Sequence, residues 1–508
     1  MFTNQKATLS ILIFILALLF FSTCKKEVYN KVNPISDSSI VITNATPGSL
    51  DKTLTESEKA NTTNLKITGE IDARDFIVMR LKMPMLTTID LSESDIVLYS
   101  GKLISPSGEI YSFQQPFKAN TIPLEAFAGK VNFKSILLPN STKAIGCESF
   151  AGCLGLKEII IPPTDTIIEA NAFWICKNLI NITIPASVTT IGECAFSGCS
   201  SLTSIIIPSS VRYLGQQAFG GCTSLKSITL PPSLTYLGYF LFDGCSSLTS
   251  VTLPSSIRSI PYAFFQDCKS LTSISIPTTV SKVEDYAFYG CSSISTINLP
   301  NGVISIGYNA FNRCSGITSI NLPNGLISIE DSAFANCSDL QSIVIPNTDT
   351  IISKAAFASC SNLESISIPS SVKSIGDLTF AFCSKLSAIT IPSSIVKIND
   401  GMFVGCTALS SITIPSSITN IGRFAFSSDS NLTSITIPSS VSKIDSYAFS
   451  DCTSLQSIHI NKEIPIVIET NVFENVQTSS CILYVPKGTK SAYQDTFGWM
   501  DFKNIVEE

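Results

Sequence analysis

The chain has 508 residues, with 33 Lys or Arg against 39 Asp or Glu and a formal net charge of −6. Nucleic acid is excluded as a partner, because phosphate neutralisation needs clustered basic residues and the chain has none beyond the pair Lys25 and Lys26. Mean hydropathy is positive at +0.34, yet no interior segment approaches the roughly 18 consecutive apolar residues of a membrane span, so the apolar surplus belongs to a buried core.

At the amino end, Leu9 to Phe21 form an apolar run broken only by Ser10, with Lys6 before it and Ser22, Thr23 and Cys24 after it. That length suits the hydrophobic part of an export signal and is short for a transmembrane helix. Residues 24–51, rich from Asn30 onward in Ser, Thr, Asn and Pro, are predicted to be a flexible tether. Residues 52–123 form an irregular capping region, in which Leu65 and Ile67 answer to Ile89 and Leu91, with a helix predicted around Asp75 to Met83. Ser94 to Ile122 has no repeat register and is predicted to protrude as a loop, a second contact candidate.

From residue 124 to 470 the chain is an array. A Phe stands at every 23rd position from Phe127 to Phe449 without insertion or deletion. Three residues after these Phe comes a column of Cys: Cys153, Cys176, Cys199, Cys222, Cys245, Cys268, Cys291, Cys314, Cys337, Cys360, Cys383, Cys406 and Cys452, with Asp429 in the single gap. Leu248 to Leu253 alternates apolar and polar, which is the period of a half-buried strand. Pro254 ends it, since Pro has no N–H for a ladder. The other half of each unit, such as Val188 to Ile191 and then Ala195 and Phe196, is long enough only for a short extended run and a turn of helix. One coil cannot bury so many apolar groups, but stacked coils put Phe on Phe and Ile on Ile. The predicted fold is a β-solenoid of about eighteen coils, with a parallel sheet on the concave face and short extended or helical turns on the convex one. INLPNGVISIG from Ile297 and INLPNGLISIE from Ile320 are near copies, so the array has grown by duplication.

The pattern L-x-x-I-x-I behind a Cys resembles the leucine-rich repeats. Its 23-residue form with IP and AFxxC is similar to the BspA-like family of bacterial surface proteins, also called the Treponema pallidum type, over about residues 124 to 460. The carboxyl end, LYVPKGTKSAYQDTFGWMDFKNI from Leu483, resembles the closing segment of that family, so residues 471–508 are expected to cap the last coil with a helix over Trp499 and Phe502. Ser22 and Thr23 before Cys24 resemble a bacterial lipoprotein signal. This implies that residues 1–23 are removed and that Cys24 carries lipid, the only link to a membrane. Lys25, Lys26 and Glu27 resemble the surface-export signal of Bacteroidetes lipoproteins, which implies display on the outer-membrane surface. The family resemblance implies adhesion: binding to host extracellular-matrix or cell-surface components, or to other microbes.

No residues suggest catalysis, and neither enzyme activity nor a cofactor is expected. His459, the one His, is predicted to be exposed on an outward strand position with no second base or thiol beside it. Glu284 with Asp285 and Glu330 with Asp331 are read as solvated loop neighbours rather than a glycosidase pair. Equivalent Cys on adjacent coils have Cβ atoms about 4.8 Å apart, beyond the usual reach of a disulfide, and a column does not converge on a metal. The thirteen Cys are therefore predicted to be free structural thiols. Asp165 and Asp349 stand where other coils have Val or Ile and are expected to open the local turn, while Asp429 is expected to accept backbone N–H bonds from the next turn.

Two surfaces remain for a partner. The outward strand columns, such as Ser204 to Ser273 and Thr229 to Thr252, make a hydroxyl-rich face suited to a glycan. On the other side Tyr213 and Tyr236 share a column, Tyr239, Tyr262 and Tyr308 share another, and Phe240 and Tyr286 stand beside them. These seven are the candidate binding patch, because Tyr is enriched at protein interfaces. The expected function is capture of an extracellular protein or glycoprotein; a glycan-capturing lipoprotein and a structural spacer are the alternatives.

Overall fold

The computed structural model describes residues 38–101 and 117–508. The export signal and Cys24 lie outside the described residues. The chain winds as a parallel-strand solenoid of about 20 turns, with about 23 residues per turn and little helix.

Each coil holds the next at three places. Three-residue strands, such as Ser227–Thr229 on Ser250–Thr252, pair in register and form a wide ladder. Two-residue strands, such as Thr190–Ile191 on Tyr213–Leu214, form a narrow ladder. Between them the turns around each Phe stack, with the Phe173 amide donating to the Ala195 carbonyl at 2.8 Å and that of Phe196 to Ala218 at 2.8 Å. These turns are not helical, contrary to the helical option in the sequence reading. Two positions per coil are left-handed, for example Gln217 at φ +56° and Gly221 at +69°. A left-handed residue stops a helix from propagating and redirects its amides to the neighbouring coil. Glycine fits the second position in many coils, but Phe240 (+56°) and Tyr286 (+58°) take the first at a cost of roughly 1–2 kcal/mol each.

The phenylalanine rings stack along the axis, with centroids 5.4 Å apart for Phe173 and Phe196 and 5.1 Å for Phe288 and Phe311. Both ends are closed by aromatics. Phe76 meets Phe127 edge-on at 5.7 Å, and Phe473, which extends the column by one, is covered by Trp499 at 5.4 Å and Phe502 at 5.1 Å. The closing helix, Lys490–Gln494, carries Tyr493, whose hydroxyl donates to the Lys462 carbonyl at 2.7 Å.

Beside the rings runs the thiol column. All sixteen Cys among the described residues are free. The ladder thiols donate to the Phe carbonyl of the preceding coil, Cys153 to Phe127 at 3.2 Å and Cys291 to Phe265 at 3.0 Å. Lys130 holds the first rung, and its ammonium donates to the Met83 carbonyl at 2.6 Å. Asp429 accepts the Cys406 amide at 2.8 Å. That amide belongs to the preceding coil, not to the next turn, because side chains of this column lean back as the thiols do.

The amino-terminal boundary differs from the expected tether. Ser39–Ala45 is a strand (β1), paired parallel with Asn64–Ile71 (β2), which pairs with Thr88–Ile96 (β3). Ile40 and Ile42 lie against Leu65 and Ile67, so burial outweighs the polar composition. The Asp75 carboxylate then holds the amides of Gly48 at 2.7 Å and Leu50 at 3.0 Å, fixing the next turn. Asp72 and Asp75 form a capping box, and the predicted helix starts earlier than expected, at Ala73–Leu81. Of the expected loop, Ser94 to Ile96 belong to β3 and Thr121–Ile122 form the first rung of the narrow ladder. Between them Tyr99 and Phe117 make an antiparallel bridge, while β3 pairs directly with Ser135–Leu137.

The two Asp departures differ: the turn at Asp165 stays closed, its amide donating to the Pro162 carbonyl at 3.0 Å, while the turn at Asp349 opens as expected, the Pro346 carbonyl taking the Thr348 amide at 2.8 Å instead. Ile167 still pairs with Ala144 and Thr190. Asp165 is fully buried, with one oxygen accepting the Ile167 amide at 3.0 Å and the other without a partner. In the second case Thr350 takes the core position instead, bonded to the Leu326 carbonyl at 3.0 Å, and Asp349 turns outward to Lys373 at 2.9 Å.

Two outcomes follow from this packing. Phe288→Ala should lower unfolding free energy by about 3–5 kcal/mol in urea titrations, since neighbouring rings cannot collapse into the gap. Burial pushes the Asp165 carboxyl from 3.8 up to about 7. A raised acid favours the fold below pH ~4 and loses that advantage as pH rises through ~7. Asp165→Val should therefore be more stable than the natural chain at pH 7.5, by up to about 4 kcal/mol, with the gap closing towards pH 4 in thermal melts.

Candidate binding surface

The narrow ladder and the turn after it position the aromatics. Tyr213 and Tyr236 occupy the outward place of paired two-residue strands, so their rings stack at 4.7 Å and 6°. Coil by coil stacking turns their flat faces towards each other and their edges outward. The remaining five expected residues form one connected net. Tyr239 and Phe240 meet Tyr262 edge-on at 6.2 and 5.1 Å, Tyr262 meets Tyr286 at 5.7 Å, and Tyr286 meets Tyr308 at 5.3 Å. Asp285 fixes the end of the net by accepting the Tyr308 amide at 2.9 Å. Glu284 accepts from the Ser259 hydroxyl at 2.9 Å, so these neighbouring carboxylates brace adjacent coils. Burial pushes the Tyr286 phenol up to about 12, and it stays protonated and able to donate.

Several residues of this side escape a reading of the two tyrosine columns. Tyr289, the residue after Phe288, joins Tyr286 at 5.6 Å and lies under the Arg313 guanidinium at 5.6 Å. A second stack, Phe424 on Tyr447 at 4.9 Å, sits farther along, with Asn471 donating to the Tyr447 hydroxyl at 2.8 Å. Ile304, Ile327, Ile351 and Val396 are also exposed on this side. Ile304, Ile327 and Val396 share the column one residue ahead of each narrow rung, and Ile351 stands in the rung itself.

The wide face is less purely hydroxylic than its Ser and Thr columns imply. Leu137, Ile160 and Ile206 stand outward near its amino-terminal end, with Ile206 82% exposed. Over the first strands lies a hollow of about 320 Å³, lined by Ser39, Asn64, Thr88, Lys66, Asp90 and Leu137 among others. At the other end His459 is only half-exposed. It stacks on Tyr484 at 4.3 Å, and its Nδ1 lies 2.9 Å from a Glu508 oxygen.

The ladder thiols offer no reactive group, since burial pushes them up, Cys222 to about 12, and the thiolate is the reactive form. Among the described residues no group of His, Cys, Asp and Glu could hold a metal ion. No helix among them is long and apolar enough to cross a membrane.

Parallel coils, a leucine-rich core and an exposed aromatic net define a leucine-rich-repeat scaffold of the protein-binding kind. The chain belongs to the family of the BspA type leucine rich repeat region, whose model matches in 6 copies over residues 120–246, 195–317, 259–387 and 373–502. It is similar to a leucine-rich repeat protein from Bacteroides ovatus, at 30% identity over 72% of this chain and 88% of that one, with a TM-score of 0.57. It also matches a leucine rich cell surface protein from Faecalibacterium prausnitzii, at 27% identity over 72% and 94% of the two chains, with a TM-score of 0.40. No curated protein matches it.

Proposed function

We propose that the chain is a surface-displayed adhesin, tethered to the outer membrane through lipid on Cys24, that binds host matrix, cell-surface or microbial proteins. The observation that carries this reading is the tyrosine net. Its five aromatics on successive coils are held by one another and by Asp285, with the Tyr213–Tyr236 stack beside them, and have few rotamers left to lose on binding. Family membership supports protein binding as the task.

A second reading is favoured by the amino-terminal hollow, where the amide and hydroxyls of Asn64, Thr88 and Ser39 stand beside Val41 and Leu137. Polar groups beside apolar ones suit a sugar. Immobilised matrix glycoproteins and purified polysaccharides separate the two. The triple variant Tyr239→Ala, Tyr262→Ala, Tyr308→Ala should weaken binding to a glycoprotein at least ~10-fold and leave any polysaccharide binding untouched. Binding that ignores the tyrosines but is lost in Asp90→Ala would overturn the adhesin reading in favour of the glycan one.

A further inference from the structure

The apolar stripe on the narrow-ladder side is longer than the tyrosine net. Ile304, Ile327, Ile351 and Val396 continue it at 41–61% exposure, so it runs from Tyr213 to Val396, roughly 40 Å at ~4.8 Å per coil. A contiguous exposed stripe of this size marks an interface.

Charge is sorted across that stripe: a basic flank and an acidic flank run side by side, and the apolar residues stand within them, Tyr213, Tyr236, Ile304 and Ile351 in the basic one and Tyr239, Tyr262 and Tyr308 in the acidic one. The two outward columns that contain Arg212 and Lys282, followed from Asn120 to Val467, hold seven Lys or Arg and no Asp or Glu. The two columns just past the narrow rung, followed from Pro123 to Thr470, hold ten Asp or Glu and two Lys or Arg. The flanks abut: Lys443 reaches Asp445 at 2.7 Å and Lys397 reaches Asp400 at 3.8 Å. Along the tyrosine net the cations Arg212, Arg258 and Lys282 take no carboxylate partner among the described residues.

We propose that this face binds a second copy of the chain, side by side and parallel, about a two-fold axis that runs along the solenoids. The proposal rests on the reading of the tyrosine net as a protein interface, and a second copy would compete there with the captured protein. Such an axis sets the basic flank of each copy against the acidic flank of the other, coil for coil, so that Lys282 of one meets Glu284 and Asp285 of the other. An antiparallel pair would set base on base and acid on acid, a costly juxtaposition. Tyrosines and aliphatic side chains share the contact with the complementary charges of the same columns, and the two-fold axis makes that surface self-complementary. Both amino ends then emerge at one end of the pair, and both wide faces stay open.

A charge swap tests the proposal on the chain from Lys25 onward, which contains every described coil. Sedimentation velocity between about 1 and 100 µM should show a concentration-dependent dimer. Lys282→Glu alone and Glu284→Lys alone should each weaken it roughly tenfold or more, since each puts like charges opposite one another twice per dimer. An equimolar mixture of the two should restore it, because every facing pair is again opposite in sign. A dimer that the mixture fails to restore would overturn the parallel pairing, and a monomer throughout would overturn the self-partner altogether. The glycoprotein panel with the triple tyrosine variant decides separately whether the net is a protein interface, so either reading can fail alone.

Discussion

The structure depends on coil stacking on coil at a constant step. Parallel pairing at ~4.8 Å matches the distance at which aromatic rings pile with modest offset, and the Phe column keeps that match over the whole array, with interplanar angles as low as 1° between Phe173 and Phe196. A 22- or 24-residue unit would shift one ladder relative to the other two. The constant period is therefore a geometric requirement: three ladders of different width can close simultaneously only if every coil spends the same number of residues on each.

That constraint explains what was legible in the residues. Phe, Cys, Leu and Ile recur because each is fully enclosed by copies of itself, so the core columns, the solenoid class and the free thiols could be read directly. The outer positions are harder, because they obey no such enclosure. Val303, Ile304 and Ile306 look alike in a short apolar run, yet Ile304 is 47% exposed while its neighbours are at 0%. The chain turns a corner between the two core residues, and period-two alternation fails there. For the same reason Thr350 rather than Asp349 ended up inside: one residue of slack in the turn after Pro346 lets the chain choose the side chain that can be satisfied by a carbonyl.

The amino-terminal coils were the least legible. β1 has two buried-side Ile in a stretch otherwise built of turn formers, and its partners lie about 25 residues on, in a different register from the main array. The tyrosine net lay in between. Its columns were visible, but its extension to Tyr289 and Arg313 comes from contacts outside those columns.

The neck formed by Tyr99 and Phe117 has a mechanical meaning. Because β3 passes its hydrogen bonds straight to Ser135–Leu137, the wide ladder runs on past the point where Tyr99 and Phe117 meet. A residue gained or lost within a 23-residue coil would shift its ladders, whereas a change in the number of residues between Tyr99 and Phe117 leaves every ladder in register.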